Sequence, residues 1–248
     1  MSSLNKVFSQ AAGQNETNRI VQGLWIGSTL SIMEKLSIVS FLENGHEYHL
    51  YAYDELPGVP RGATVKDANK ILPASLIFQY RDRPSYSAFS NFFRYRLLLE
   101  RGGWWVDSDT VCLRHFDFPE EYVVSSQKNG AGQIPNVGAI KAPRGSEAIA
   151  YAWSVCQTKK RNELVWGEIG PALMAEVVER YRLQRYVKPY YVFCPIEWER
   201  LLVPYVVGVP EEAYAIHLWN SMWVFGNQDK NATYNPGCIY EQLKTRYL

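Results

Sequence analysis

The sequence predicts an α/β fold, with strands and helices alternating around one core. Three observations carry that prediction. Ile20 to Gly27 (IVQGLWIG) is a short apolar run that stops at a glycine, as a buried strand does. A helical stretch separates it from a second strand-like run, His46 to Asp54 (HEYHLYAYD), so the chain opens β-α-β with a parallel pair and a right-handed crossover. Further on, Ser85 to Arg101 has helical apolar spacing and leads through Gly102-Gly103 into another strand-like run, Trp104 to Leu113 (WWVDSDTVCL).

Each element has its own signal. Ser28 and Thr29 offer an N-cap for a helix to about Asn44, with Leu30, Met33, Leu36, Ser37 and Ser40 recurring on one side and Asn44-Gly45 closing it. Pro57 to Pro60 is a turn cluster, and Val65 to Leu72 is expected as a short helix that Pro73 breaks. The 85–101 helix presents Phe89, Phe92, Phe93, Leu97 and Leu98, and the double glycine ends it. Tyr122 to Ser126 and Val137 to Ala142 are expected as strands, and Ser146 to Lys160 as a helix. Pro171 suits the first turn of a helix running to Arg182. Val187 to Cys194 and Ala213 to Trp219 are the last expected strands. Residues 1–18 are expected as a loose leader, and residues 217–248 as an aromatic, glycine-containing tail able to act as a C-terminal lid.

Composition bounds the function. With 248 residues, 47% of them hydrophobic, the chain can bury a substantial core, and a single domain spanning 1–248 is expected. Lys and Arg number 26 against 25 Asp and Glu, so no basic field points to nucleic acid. Cys112, Cys156, Cys194 and Cys238 lie far apart with no C-x-x-C pair, which argues against structural zinc or dithiol chemistry. Met1 to Arg19 has no apolar signal region, and no run of about 18 apolar residues could span a bilayer. A cytoplasmic protein with reduced cysteines is expected.

Asp107 and Asp109 carry the chemistry. Spaced i, i+2 on a regular strand they would share a face, and two buried carboxylates need a cation. Mg²⁺ or Mn²⁺ takes such oxygen ligands and often completes its shell with phosphate oxygens. Alone, D-x-D is more often a solvated turn than a site. Its surroundings change that: Ser90-Asn91-Phe92-Phe93-Arg94, the helix to Arg101, then Gly102-Gly103-Trp104-Trp105-Val106-Asp107-Ser108-Asp109. This stretch resembles the S-D-x-x-R, helix, G-G-x-Y-x-D-x-D pattern of the DXD-containing sugar transferases, as found in glycosyltransferase family 32, the α-1,4-galactosyltransferases and the glucosylating toxins.

The resemblance implies a GT-A fold, a Rossmann-like mixed sheet flanked by helices that holds a nucleotide sugar at the strands' C-terminal ends. It implies metal-dependent transfer of a hexose, from UDP-galactose or UDP-glucose, to a glycan or glycolipid hydroxyl with retention of configuration, as in polysaccharide biosynthesis. Asp107, Asp109 and Arg94 would be catalytic. Asp109, Asp107 and His217 would hold Mn²⁺ or Mg²⁺. Trp25, in Leu24-Trp25-Ile26-Gly27, matches a tryptophan that stacks on the base. Ser90, Asn91, Arg94, Asp107, Ser108, Asn136, Trp219 and Trp223 complete the implied donor site. Asn91 departs from the family's pattern, standing where an aspartate is usual, and Glu168 replaces a small or hydroxyl residue before Gly170-Pro171. Trp219, Asn220, Ser221 and Trp223 would close over the diphosphate. Basic-aromatic stretches at Lys159 to Arg161 and Arg180 to Arg185 could touch a membrane from its inner face, but solvated helix ends are the favoured explanation.

Two other classes compete. A phosphoryl-transfer enzyme could use the same aspartates, but no acid follows the first strand and no G-x-x-x-x-G-K-[ST] occurs. A non-catalytic nucleotide- or carbohydrate-binding module would fit the 17 tyrosines and 8 tryptophans.

Overall fold

The computed structural model describes residues 18–205 and 208–248. The expected leader lies outside the described residues apart from its last member. Asn18 is not loose: it is buried, and its side chain bonds to Trp104, Phe118 and Lys141.

Six strands form one mixed sheet in the order β3-β2-β1-β4-β7-β6. These are β1 (Ile20–Leu24), β2 (Glu47–Ala52), β3 (Thr64–Asp67), β4 (Gly103–Val106), β6 (Val123–Asn129) and β7 (Gly132–Ala142). β3, β2, β1 and β4 run parallel, and β7 and β6 continue antiparallel. A separate antiparallel pair joins β5 (Thr110–Cys112) to β8 (Ala215–His217). Helices α1 (Ile32–Glu43), α2 (Ser87–Arg101), α3 (Glu147–Thr158), α4 (Leu173–Arg180), α5 (Tyr190–Phe193), α6 (Asn220–Phe225) and α7 (Ile239–Tyr247) surround the sheets.

The alternating side chains of the strands feed two cores. Leu24, Tyr51, Trp105 and Ile140 face α2, α3 and α4, meeting Phe89, Phe93, Leu97 and Ala152. Val21, Leu50, Trp104 and Ala139 face the other way, against Ile38 and Phe41 of α1 and against Phe116 and Phe193. A third cluster packs α7 and Trp223 against Met33 and Leu36 of α1.

Several local expectations are corrected. Ser31, not Ser28 or Thr29, caps α1, in a reciprocal capping box with Glu34. The 65–72 segment is an edge strand, β3, followed by a single 3₁₀ turn at Ala68–Lys70. Pairing to β2 overrides a weak helical spacing that is only about eight residues long. The 187–194 segment makes one isolated bridge, Val124 to Val187, and then turns into α5. Pro189, with no N–H to give a ladder, stands at that break. The helix expected from Gly170 begins as an irregular turn at Glu168–Ala172, and regular α4 starts only at Leu173.

The double glycine has a specific task. Gly102 sits at φ +67, ψ −164, a region closed to other residues. A Cβ there would lie 2.4 Å from the backbone N of Arg144. The glycine thus lets α2 turn into β4 against the end of β7. Gly102→Ala should destabilise the protein by about 2 kcal/mol or more in urea unfolding.

A second constraint closes the sheet's far end. His46 Nε2 accepts from Phe116 N at 3.0 Å, so its Nδ1 carries the proton and donates to the Asn18 carbonyl, also at 3.0 Å. Asn18 Nδ2 donates to Phe118 O, and its Oδ1 accepts from Trp104 Nε1 and from the buried Lys141 ammonium. Burial, aided by the neighbouring His115, lowers the His46 pKa to about 4. The unfolded chain therefore binds a proton near pH 6.5 that the folded chain refuses until about pH 4. Stability should be complete above pH 6.5 and fall as the pH drops towards 4, by about 3 kcal/mol at most for this group. Urea unfolding of wild type and His46→Gln across that range measures it, and the variant should lose this part of the slope.

Candidate active site

β1 and β4 lie side by side with their C-terminal ends together, Val21 opposite Trp104 and Gln22 opposite Trp105. The segments leaving the two strands therefore meet. Trp25 comes directly after β1, and Asp107 to Asp109 directly after β4. The two aspartates do not lie on a strand, as expected from their spacing, but in a tight turn closed by Thr110 N on Asp107 O at 3.0 Å. The turn lets both carboxylates converge on one point. A cleft of about 240 Å³ opens above it. Trp25, Ser90, Arg94, Ser108, Asn220 and Ser221 are among its lining residues.

Each carboxylate has a different counter-charge. Asp107 Oδ1 accepts from Arg94 Nη2 at 2.6 Å and from Trp105 Nε1 at 2.8 Å. Arg94 reaches it because α2 folds back onto β4 through the double glycine. Its side chain is only 2% exposed, and Ser90 Oγ, one turn earlier on α2, accepts from the same Nη2 at 3.2 Å. Asp109 Oδ2 lies 3.3 Å from His217 Nε2 and accepts from Asn220 N at 2.6 Å. β8 delivers His217 by pairing with β5 opposite Thr110. Trp219 then takes a left-handed conformation (φ 57, ψ 48), unusual for a bulky residue, and this aims the first amide of α6 at Asp109.

The protonation states follow from these contacts. Burial, reinforced by the charge of Asp109, holds the Asp107 carboxyl above the usual range in spite of Arg94. Burial also acts to raise Asp109, but the His217 charge, its hydrogen bond and the Asn220 amide outweigh it and leave that carboxyl low. Burial would lower His217, yet Asp109 holds the imidazole well above its ordinary value. The histidine is thus an imidazolium paired with a carboxylate.

Asp107, Asp109 and His217 offer ligand atoms that all lie within 4.8 Å of one another. Space between them is kept by Gly138 of β7, whose carbonyl accepts from Asp107 N at 2.7 Å. A Cβ on Gly138 would meet Asp107 Oδ2 at 3.5 Å and His217 Nε2 at 3.7 Å, and Asn136 Oδ1 at 2.9 Å. Two carboxylates and an imidazole converging on one space fit a divalent cation.

Not every expected residue reaches the cleft. Asn91 is buried against Gly170, where a Cβ would stand 3.2 Å from its amide nitrogen. Asn136 is spent internally: its Oδ1 accepts from Gly138 N and its Nδ2 donates to Gln127, both at 2.6 Å. It holds the Gly138 backbone within β7. Trp219 packs on His217, ring centroids 4.2 Å apart, and donates from Nε1 to Ile196 O. Trp223 is a core residue, 4% exposed, packed on Tyr234 and Tyr240. Trp25 does line the cleft, with its Nε1 on Thr29 O. The ammonium of Lys230 sits 5.2 Å from the Trp25 ring centroid and is anchored by the buried Glu34. Lys230, Trp105 and Gly138 were missed from sequence, and Asn220, expected as part of a closing segment, instead meets Asp109 through its backbone amide. Trp105 had a signal, being two residues before Asp107 and next to the acidic turn; Lys230 had none.

Residues 26–128 match the family model described as a glycosyltransferase sugar-binding region containing the DXD motif. No curated protein matches the sequence. Among solved structures, the PaToxG glycosyltransferase superposes with a TM-score of 0.52 at 15% identity, over 71% of this chain and 76% of its own. The apo form of the glycosyltransferase GlyE from Streptococcus pneumoniae TIGR4 gives a TM-score of 0.42 at 14% identity, over 70% of this chain and 46% of its own. The PaToxG likeness is one of fold and bears out the expected GT-A-like mixed sheet. The family match begins at Ile26, just after Trp25, and takes in the whole Asp107 to Asp109 turn, so this acidic turn is the DXD element of that region.

Gly138 supplies a test of the cation site that leaves all three ligands in place. Gly138→Ala, whose Cβ would press on Asn136 Oδ1, should unfold at lower urea than wild type and, through the shift this forces beside Asp107 and His217, bind Mn²⁺ roughly tenfold more weakly in calorimetric titration.

Proposed function

We propose that this chain, a DXD-type glycosyltransferase, moves a hexose from UDP-galactose or UDP-glucose to a hydroxyl of a glycan or glycolipid acceptor, with retention and with Mn²⁺ or Mg²⁺ as cofactor. The observation that carries the reading is the Asp107, Asp109 and His217 cluster, whose two aspartates line a cleft that Trp25 also lines, with His217 buried behind them. No described helix is long and apolar enough to cross a membrane. A lipid-linked acceptor would then be met by peripheral contact at the inner face.

In this reading the Trp25 ring stacks on the uracil. Asp107, Asp109 and His217 hold the cation. Bound there, the cation supplies positive charge to the departing diphosphate. Arg94 keeps Asp107 aimed, through Nη2, and brings a fixed positive charge to the wall of the cleft. Ser90 and Ser108 add hydroxyls on the same floor. Asn220 and Ser221 form the opposite wall, and α6 shields the cleft from water, which suppresses hydrolysis of the donor. With no carboxylate other than the two aspartates among the lining residues, a front-face attack assisted by the leaving phosphate needs the fewest protein groups.

The test is a screen of nucleotide sugars for nucleoside diphosphate release with Mn²⁺, Mg²⁺ or chelator. UDP-hexoses with Mn²⁺ should give release. Asp107→Asn and Asp109→Asn should each lower it by roughly a hundredfold or more while remaining folded. Thermal stabilisation by UDP with no release from any donor would instead mean a binding module, and full activity in both variants would sink the assignment.

A further inference from the structure

The mouth of the cleft carries an exposed aromatic corner that the donor site does not use. Phe225 and Val224 at the end of α6 and Tyr86 at the start of α2 line the opening, and all three are exposed. Trp166 adjoins them, its ring centroid 5.3 Å from that of Phe225 at 68°, so the two rings form a corner rather than a stack. Both residues keep more than a third of their surface exposed, 37% for Trp166 and 38% for Phe225. An exposed apolar patch of this kind marks a place of contact.

The corner is built, not incidental. The Arg83 guanidinium lies 5.1 Å from the Trp166 centroid and 5.4 Å from that of Phe225, joining the two rings. The Asp82 carboxylate holds Arg83. Behind Trp166, the buried Tyr80 ring packs at 5.2 Å. The loop that carries Trp166 is pinned by Glu168, which accepts from Val165 N at 3.1 Å and from Lys159 Nζ at 2.6 Å. This gives Glu168, the residue that departs from the family's small or hydroxyl type, a concrete task.

Resting on the glycosyltransferase reading, we propose that Trp166 and Phe225 form the acceptor subsite and take the CH-rich face of a pyranose ring of a carbohydrate acceptor. The chemistry of the surroundings selects this occupant. A pyranose has an apolar face and a hydroxyl rim. Here Phe225 lines the same cleft as the hydroxyls of Ser87 and Ser221, and Trp166 adjoins Phe225. An acyl chain would be met by hydroxyls and a guanidinium along its length, which it cannot use. The corner also lies at the mouth, where an acceptor hydroxyl would enter, while the donor's diphosphate is held on the floor.

Saturation-transfer NMR with methyl β-lactoside and methyl α-maltoside tests it on the full chain with UDP and Mn²⁺ present. At least one glycoside should show transfer to its ring CH protons. Trp166→Ala and Phe225→Ala should weaken that binding roughly tenfold, and Trp166→Phe should keep it within about threefold, as the loss and retention of one aromatic stack predict. UDP-induced thermal stabilisation of Trp166→Ala should match wild type. No transfer to either glycoside in wild type, or transfer unchanged by both alanine variants, overturns the subsite. So does sedimentation with phosphatidylglycerol vesicles that depends on Trp166 when neither sugar binds. If wild type fails to respond to UDP, the donor reading fails separately, whatever the glycosides show.

Discussion

The structure depends on two carboxylates held side by side at the end of β4. Like charges at this separation cannot both ionise in a largely buried setting without compensation. The fold meets this with two different counter-charges. Asp107 takes a permanent one, the guanidinium of Arg94, and a neutral donor from Trp105. Asp109 takes a removable one, the His217 proton, together with the Asn220 amide. The partners come from α2, β4, β8 and the start of α6, so the site ties the middle of the chain to its C-terminal part.

Topology makes that convergence available. Because β1 lies between β2 and β4 and is parallel to both, the chain leaves β1 and β4 at one end of the sheet, where ligands of open α/β sheets bind. Trp25 and the acidic turn are far apart in sequence and neighbours in space for that reason. The β5-β8 pair then does for His217 what the main sheet does for Trp25. Three paired positions, from Thr110 with His217 to Cys112 with Ala215, fix the histidine opposite the residue that follows Asp109.

What could be read from sequence was whatever local pattern determines. The α2 spacing, the double-glycine stop and the β-α-β opening were all legible because each is decided within a short stretch of chain; the acidic pair was legible as residues, but not the turn that carries it. The edge strand β3 was misread because its pairing with β2, not its own spacing, decides its conformation. Val187 to Cys194 was misread because its apolar residues also suit a loop that crosses the sheet edge once and folds back. Within the site, Asp107, Asp109, Arg94 and His217 were legible as residues, but their pairing was not. Asn136 and Trp223 are poorly placed as ligand contacts for a physical reason: an amide already bonded to Gly138 and Gln127, and an indole packed on two tyrosines, have little left to offer. Gly138 was invisible because its contribution is an absence of side chain, and only the neighbours' positions give that absence meaning.

The removable counter-charge on Asp109 has a consequence for what the cleft can hold. With His217 protonated, the two carboxylates are matched by two cations and the floor is close to neutral. A divalent cation at the same atoms would take the place of the proton, since an imidazole ligates only when neutral. With Arg94 still charged, the floor would then turn positive. A positive floor beneath a rim tryptophan is what a nucleoside diphosphate needs, and a neutral one gives it no electrostatic reason to stay. One oxygen of each carboxylate is already engaged, Asp107 Oδ1 by Arg94 and Trp105 and Asp109 Oδ2 by His217 and Asn220, so the pair is held with a fixed orientation towards the space between them.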